Sequence, residues 1–121
     1  MSLAVIELHD MKIVVPTIEV EGVYIRFVGL MMPLWQFIFQ AFDCELSTVP
    51  VYEYGVTNSC ISPTNKNTWY VPCPKNLKIR IIKLSFPNPS SETICSKLEL
   101  GFANKERVFL TLKIHKEINL E

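Results

Sequence analysis

Apolar and polar residues alternate along most of this chain with the period of two that marks a half-buried strand. In "TIEVEGVYIRFVG", Ile18 and Val20 share one face against Glu19 and Glu21, and after Gly22 the apolar parity passes to Val23, Ile25 and Phe27. A parity change of one residue at a glycine predicts a bulge or sharp bend. "LKIRIIKLSF" behaves alike: Leu77, Ile79 and Ile81 alternate with Lys78 and Arg80, then Ile82, Leu84 and Phe86 take over, which predicts a bulge near Ile81. "TICSKLELGF" sets Ile94, Leu98, Leu100 and Phe102 on one face, and "RVFLTLKIH" sets Val108, Leu110, Leu112 and Ile114 against Arg107, Thr111, Lys113 and His115. The turn signals "FPNPSSE" and "GFANKE" separate these strands, so the second half reads as an antiparallel meander. Before it, "VTNSCISPTNKNTWYVPCP" is polar, proline-bearing and too long for a tight turn, and reads as a long loop.

One stretch breaks the alternation. "FVGLMMPLWQFIFQAF", residues 27 to 42, carries no charge. Pro33 suits the first turn of a helix, and Leu34, Phe37, Ile38, Ala41 and Phe42 fall on one stripe at helical spacing, with Gln36 and Gln40 as a polar strip and Trp35 and Phe39 as a second apolar flank. At 1.5 Å per residue the stretch reaches about 24 Å, short of the roughly 30 Å of a bilayer's hydrocarbon, so it does not span. Three readings remain for the predicted helix: wholly core, packed against another copy of the chain, or laid on a membrane surface. Met31, Met32, Leu34, Trp35 and Phe39 are the candidate contact residues for the last two.

These elements predict a mainly β fold, a twisted antiparallel sheet or small β-sandwich with one short helix. Length agrees, because 121 residues at 49% hydrophobic make one domain, residues 1–121, with a sizeable core. Cys44, Cys60, Cys73 and Cys95 form no CxxC pair and have no histidine couplet nearby, which argues against a structural zinc and against any metal. The first ten residues, "MSLAVIELHD", have neither a basic lead nor a long apolar run, so the thiols are expected to be reduced and the location intracellular.

Net charge is zero, yet it is unevenly placed. Through Glu53 there are seven acids and two bases, and beyond it five acids and ten bases, leaving −5 and +5 in the two parts. Such asymmetry gives either a bipolar surface that attracts its own copies, a basic face for phosphate, or a field that folding cancels by interleaving the two parts. For nucleic acid the candidate contacts are Lys78 and Arg80 on one strand, Arg107 and Lys113 on another, and Trp69 and Tyr70 just before the first. A single-strand binder uses charge to track phosphates and rings to stack bases. Equally, the lysines suit an ordinary solvated sheet face and Trp69 a core.

Catalytic chemistry is poorly supported. His9 or His115 paired in space with a cysteine is the combination the composition permits, but no cysteine sits at a glycine elbow or a helix start, and four glycines build no phosphate-cradling loop. A non-enzymatic protein without cofactor or evident small-molecule substrate is expected.

"IELHDMKIVVP", residues 6–16, followed by "YIRFVG", residues 24–29, resembles the amino-terminal portion of bornavirus matrix proteins, and "ERVFLTLKIHKE" resembles their late strand. The resemblance covers about a third of the chain and leaves out its centre. It implies a self-associating structural protein of an enveloped negative-strand RNA virus, a homo-oligomer lining the inner membrane face, with RNA and an anionic membrane surface as further partners. The neutral net charge departs from the plain basic excess expected of a protein that meets anionic lipid. The other readings are an OB-like single-strand nucleic-acid module and a cysteine-dependent enzyme.

Overall fold

A computed structural model describes residues 6–30, 36–57, 61–62, 65–87, 94–104 and 107–114, and the side chains of all of these except 61–62, 65–66 and 107–114. The described residues are mainly β, as the alternation predicts. In chain order the strands are β1 (Ile6–Glu7), β2 (Met11–Val28), β3 (Gln36–Phe42), β4 (Tyr52–Thr57), β5 (Ile61–Ser62), β6 (Asn65–Ser85), β7 (Ile94–Cys95), β8 (Lys97–Asn104) and β9 (Arg107–Ile114). The main sheet is antiparallel throughout, in the order β4-β3-β6-β2-β8-β9, with β5 paired to β6; β1 and β7 form a separate antiparallel pair.

β2 and β6 are the long central strands, and their ladder is interrupted twice. Val14 pairs with Ile81 and Ile18 with Ile79, so Val15, Pro16 and Thr17 together face Arg80 alone. Val20 pairs with Leu77 and Gly22 with Pro72, so Cys73 to Asn76 face Glu21 alone. Asn76 turns this second excursion with φ of 62°, a left-handed conformation that asparagine tolerates better than most residues. Both interruptions lie where parity changes in the sequence, although the extra residues sit on β2 at the first and on β6 at the second.

Extra residues on alternate strands bend a sheet. Trp69 and Phe86 are separated along the chain by a length that would span about 56 Å if straight. Yet their rings stand 5.5 and 5.9 Å from the same Phe27 ring. The sheet therefore turns back on itself, and its two inner faces meet around Phe27, Phe37, Trp69 and Phe86, mostly edge to face. One continuous core results, drawing Ile13, Phe39, Ile82 and Leu84 from one arm and Ile25, Val71, Leu100 and Phe102 from the other.

Three expectations need correction. The predicted helix over residues 34–42 is absent from its described part, which is strand β3: Phe37, Phe39 and Ala41 point inward, while on the other face Gln36 and Ile38 are exposed and Gln40, next along, is half-buried. Much of the expected loop before Leu77 is also strand, because β6 begins at Asn65. The second half is no simple meander, since β2 inserts between β6 and β8, and only β8 and β9 form a hairpin as expected. That insertion interleaves the acid-rich and base-rich parts of the chain. Glu19 faces Lys78, Arg26 bonds Glu99 at 3.3 Å, and Arg80 bonds Glu45 at 3.0 Å.

Candidate functional site

Of the residues expected to mediate association or membrane contact, Met31, Met32, Leu34 and Trp35 lie outside the described residues. Phe39 is fully buried and packs against the Tyr52 ring at 6.5 Å, so strand alternation has turned it into core. It offers no contact surface.

The residues expected to bind nucleic acid are not brought together. Trp69 is buried between Phe27 and Phe37, and its indole Nε1 has no hydrogen-bond partner among the described residues, so the ring serves as apolar filling. Tyr70, its neighbour on the opposite face, lies 4.8 Å from Tyr24 and covers Gly22, where a Cβ would run into the tyrosine ring. Lys78 is exposed opposite Glu19. Arg80 is committed within the fold: Nη1 donates to the Val15 carbonyl at 2.7 Å, and Nε and Nη2 donate to Glu45 Oε2 at 3.3 and 3.0 Å. Lys113 and Arg107 occupy the β9 positions opposite Glu99 and Asn104. On its other side Glu99 faces Arg26, whose Nη1 donates to it at 3.3 Å, so the basic position on β2 is already paired.

The thiols are poorly placed for catalysis. Burial pushes Cys73 up to about 12 and Cys95 up to about 11, so each is a protonated thiol at neutral pH and a weak nucleophile. Cys44 is exposed on the β3–β4 loop, and His9 lies against Glu7 at 3.2 Å. Cys44, Cys73 and Cys95 are free, while Cys60 and His115 lie outside the described residues. Among the described residues no cluster of three potential metal ligands occurs, and no helix is long and apolar enough to cross a membrane.

Two features stand out that the alternation pattern does not reveal. The first is the β3–β4 loop, "DCELSTVPV". Its backbone is held by bonds from Ser47 N to the Cys44 carbonyl and from Val51 N to the Ala41 carbonyl, by Ser47 Oγ donating to the Val49 carbonyl at 2.9 Å, and by the Arg80–Glu45 pair. From this tethered frame Leu46, Val49 and Val51 project, 93%, 69% and 45% exposed. Their only sequence signal is three apolar residues without period inside a polar turn. At the other end of the same hairpin Phe37, Ile38, Val56 and Pro87 line a mainly apolar pocket of about 220 Å³.

The second is a pair of lysines. Register places Lys12 directly opposite Lys83, with Gln40 next in the same row on β3. Because the two residues are far apart in sequence, only strand order brings them together. Comparison with known protein families, curated proteins and solved structures gives no match to this chain.

Proposed function

We propose that this protein is a non-enzymatic assembly module that associates with copies of itself, the role of a matrix-type structural protein. The observation that carries this reading is the ordered, apolar tip of the β3–β4 loop. An exposed leucine, with two exposed valines beside it, gains on the order of 1.5–3 kcal/mol per side chain when buried, and a tethered loop loses little entropy in docking. Pairing of Glu45 with Arg80 compensates the carboxylate and so offsets part of the cost of desolvating it at an interface. The carboxylates of Asp43 and Glu53 beside the tip disfavour an anionic bilayer as its target. A tip and an apolar pocket at opposite ends of one hairpin are complementary between copies head to tail, a contact that builds rings or filaments. The free thiols and the resemblance of three short stretches to bornavirus-type matrix proteins are in keeping with this role.

Light scattering on a size-exclusion column tests it. The wild type should show a mass that rises with concentration, while Leu46→Asp/Val49→Asp and Ile38→Asp should each remain monomeric with unchanged circular dichroism. Mixing the tip variant with the pocket variant should restore a dimer, since one supplies an intact pocket and the other an intact tip. A wild type that stays strictly monomeric at high concentration would defeat the reading.

A further inference from the structure

The Lys12–Lys83 pair is a cost that the fold leaves standing. Like charges directly opposite on adjacent strands are destabilising. The ion pairs among the described residues are His9–Glu7, Arg26–Glu99 and Arg80–Glu45, so neither lysine has a described carboxylate partner. Lys83 Nζ is instead held 4.9 Å over the Phe42 ring, an attraction that fixes the ammonium while leaving its hydrogens unspent. Both side chains line an open concavity of about 450 Å³ on the outer face of the sheet, together with Gln40, Ser85 and Asp10. Gln40 Nε2 donates to Glu53 at 3.1 Å, which anchors its amide and leaves a second N–H.

We propose that this concavity binds a single phosphate group. Lys12 and Lys83 supply the charge, and the Gln40 amide and the Ser85 hydroxyl supply neutral donors. Two ammonium groups on one rigid row suit a compact dianion better than an extended chain of charges. The next cation along β6, Arg80, is already matched by Glu45, and the carboxylates of Asp10 and Glu53 flank the row, so no track continues for a polyanion. Phe42, the nearest ring, is buried and offers no face for stacking a base. The phosphate therefore belongs to a small phosphorylated molecule or to a lipid headgroup. This inference is independent of association through the loop tip.

Titration with inorganic phosphate, followed by backbone amide NMR and by thermal unfolding, tests it. Saturable, salt-sensitive shifts at Lys12, Gln40, Lys83 and Ser85 are expected, with a rise in the unfolding temperature. Lys12→Gln and Lys83→Gln should each weaken binding about tenfold, and Asp10→Asn should tighten it. Without ligand, Lys12→Gln should unfold no earlier than the wild type, because it removes a repulsion and leaves the Lys83–Phe42 contact in place. Vesicles of phosphatidylcholine with and without a phosphoinositide separate the two sources. Phosphate-competed binding to the phosphoinositide vesicles alone identifies a headgroup, and phosphate binding with no vesicle binding identifies a soluble ligand. Either result supports the site. Absence of the shifts, an unchanged affinity when Lys12→Gln and Lys83→Gln are combined, or binding of a single-stranded oligonucleotide without any binding of inorganic phosphate would each overturn it.

Discussion

At the scale of single residues, the groups most perturbed by the fold are thiols and phenols: Tyr52, Tyr70 and Cys73 near the point where β6 leaves the ladder, and Cys95 on β7. Burial raises Cys73 from 9.0 to about 12 and Cys95 to about 11, and burial is also the first cause raising Tyr52 and Tyr70 above 10.0. The Tyr52 hydroxyl donates to the Pro72 carbonyl, next to Cys73, and Tyr70 donates to the Glu21 carbonyl at 3.4 Å, so the protonated forms are the ones the fold uses. In the unfolded chain these groups release protons first as pH rises. The native state then holds more protons than the unfolded state, and stability falls with increasing pH. Their contribution is complete below about pH 9 and is lost as pH climbs toward 12. Urea midpoints measured across the alkaline range should therefore drop above about pH 9, and Cys73→Val should flatten part of the drop. A midpoint level from about pH 8 to about pH 11 in the wild type would show that these groups titrate as freely in the fold as in the unfolded chain.

At the scale of elements, the two interruptions of the β2–β6 ladder decide the shape, and Arg80 closes the first. Its bond to the Val15 carbonyl satisfies an acceptor that the bulge removes from the ladder, whereas its pair with Glu45 is half in solvent. These two roles differ in worth. Arg80→Ala should cost about 1–3 kcal/mol because it strands a backbone acceptor, and Glu45→Gln at most about 1 kcal/mol because an exposed ion pair contributes little. Chemical denaturation of both variants checks the order, and equal losses would place the energy in the ion pair. Both interruptions were legible in the parity changes at Gly22 and Ile81. Which strand carried the extra residues was not, since that depends on the partner's register. The misread helix has a specific cause: Gln36 and Gln40, four apart, sit on one face of a helix and equally on one face of a strand. Phe37, Phe39 and Ala41 alternate with them, and a run rich in aromatic and β-branched residues favours the strand. The candidate site was less legible still. Trp69 and Phe39 were drawn into the core by alternation, and the opposition of Lys12 and Lys83 exists only once β6 lies beside β2.

At the scale of the whole molecule, one folded sheet behaves as two layers joined at a corner, and the question is whether the layers are stable apart. Phe27 stands on the β2-β8 arm, while Phe37 and Phe86 stand on the β3-β6 arm, and all of them touch across the core together with Trp69. Each arm on its own would expose the inner face of a sheet with no second layer to cover it. The continuity of β2 and β6 through the corner adds a covalent reason for coupling: neither arm can lose its central strands without disturbing the other's. The molecule should therefore unfold in a single transition. Phe27→Ala, at the centre of the aromatic group, should lower its free energy by about 3–5 kcal/mol. That loss should appear equally in the fluorescence of the tryptophans and in the far-ultraviolet circular dichroism of the whole sheet, with coincident midpoints before and after the substitution. Separate midpoints for the two probes would mean that the arms fold independently and that the bend is a hinge between two units.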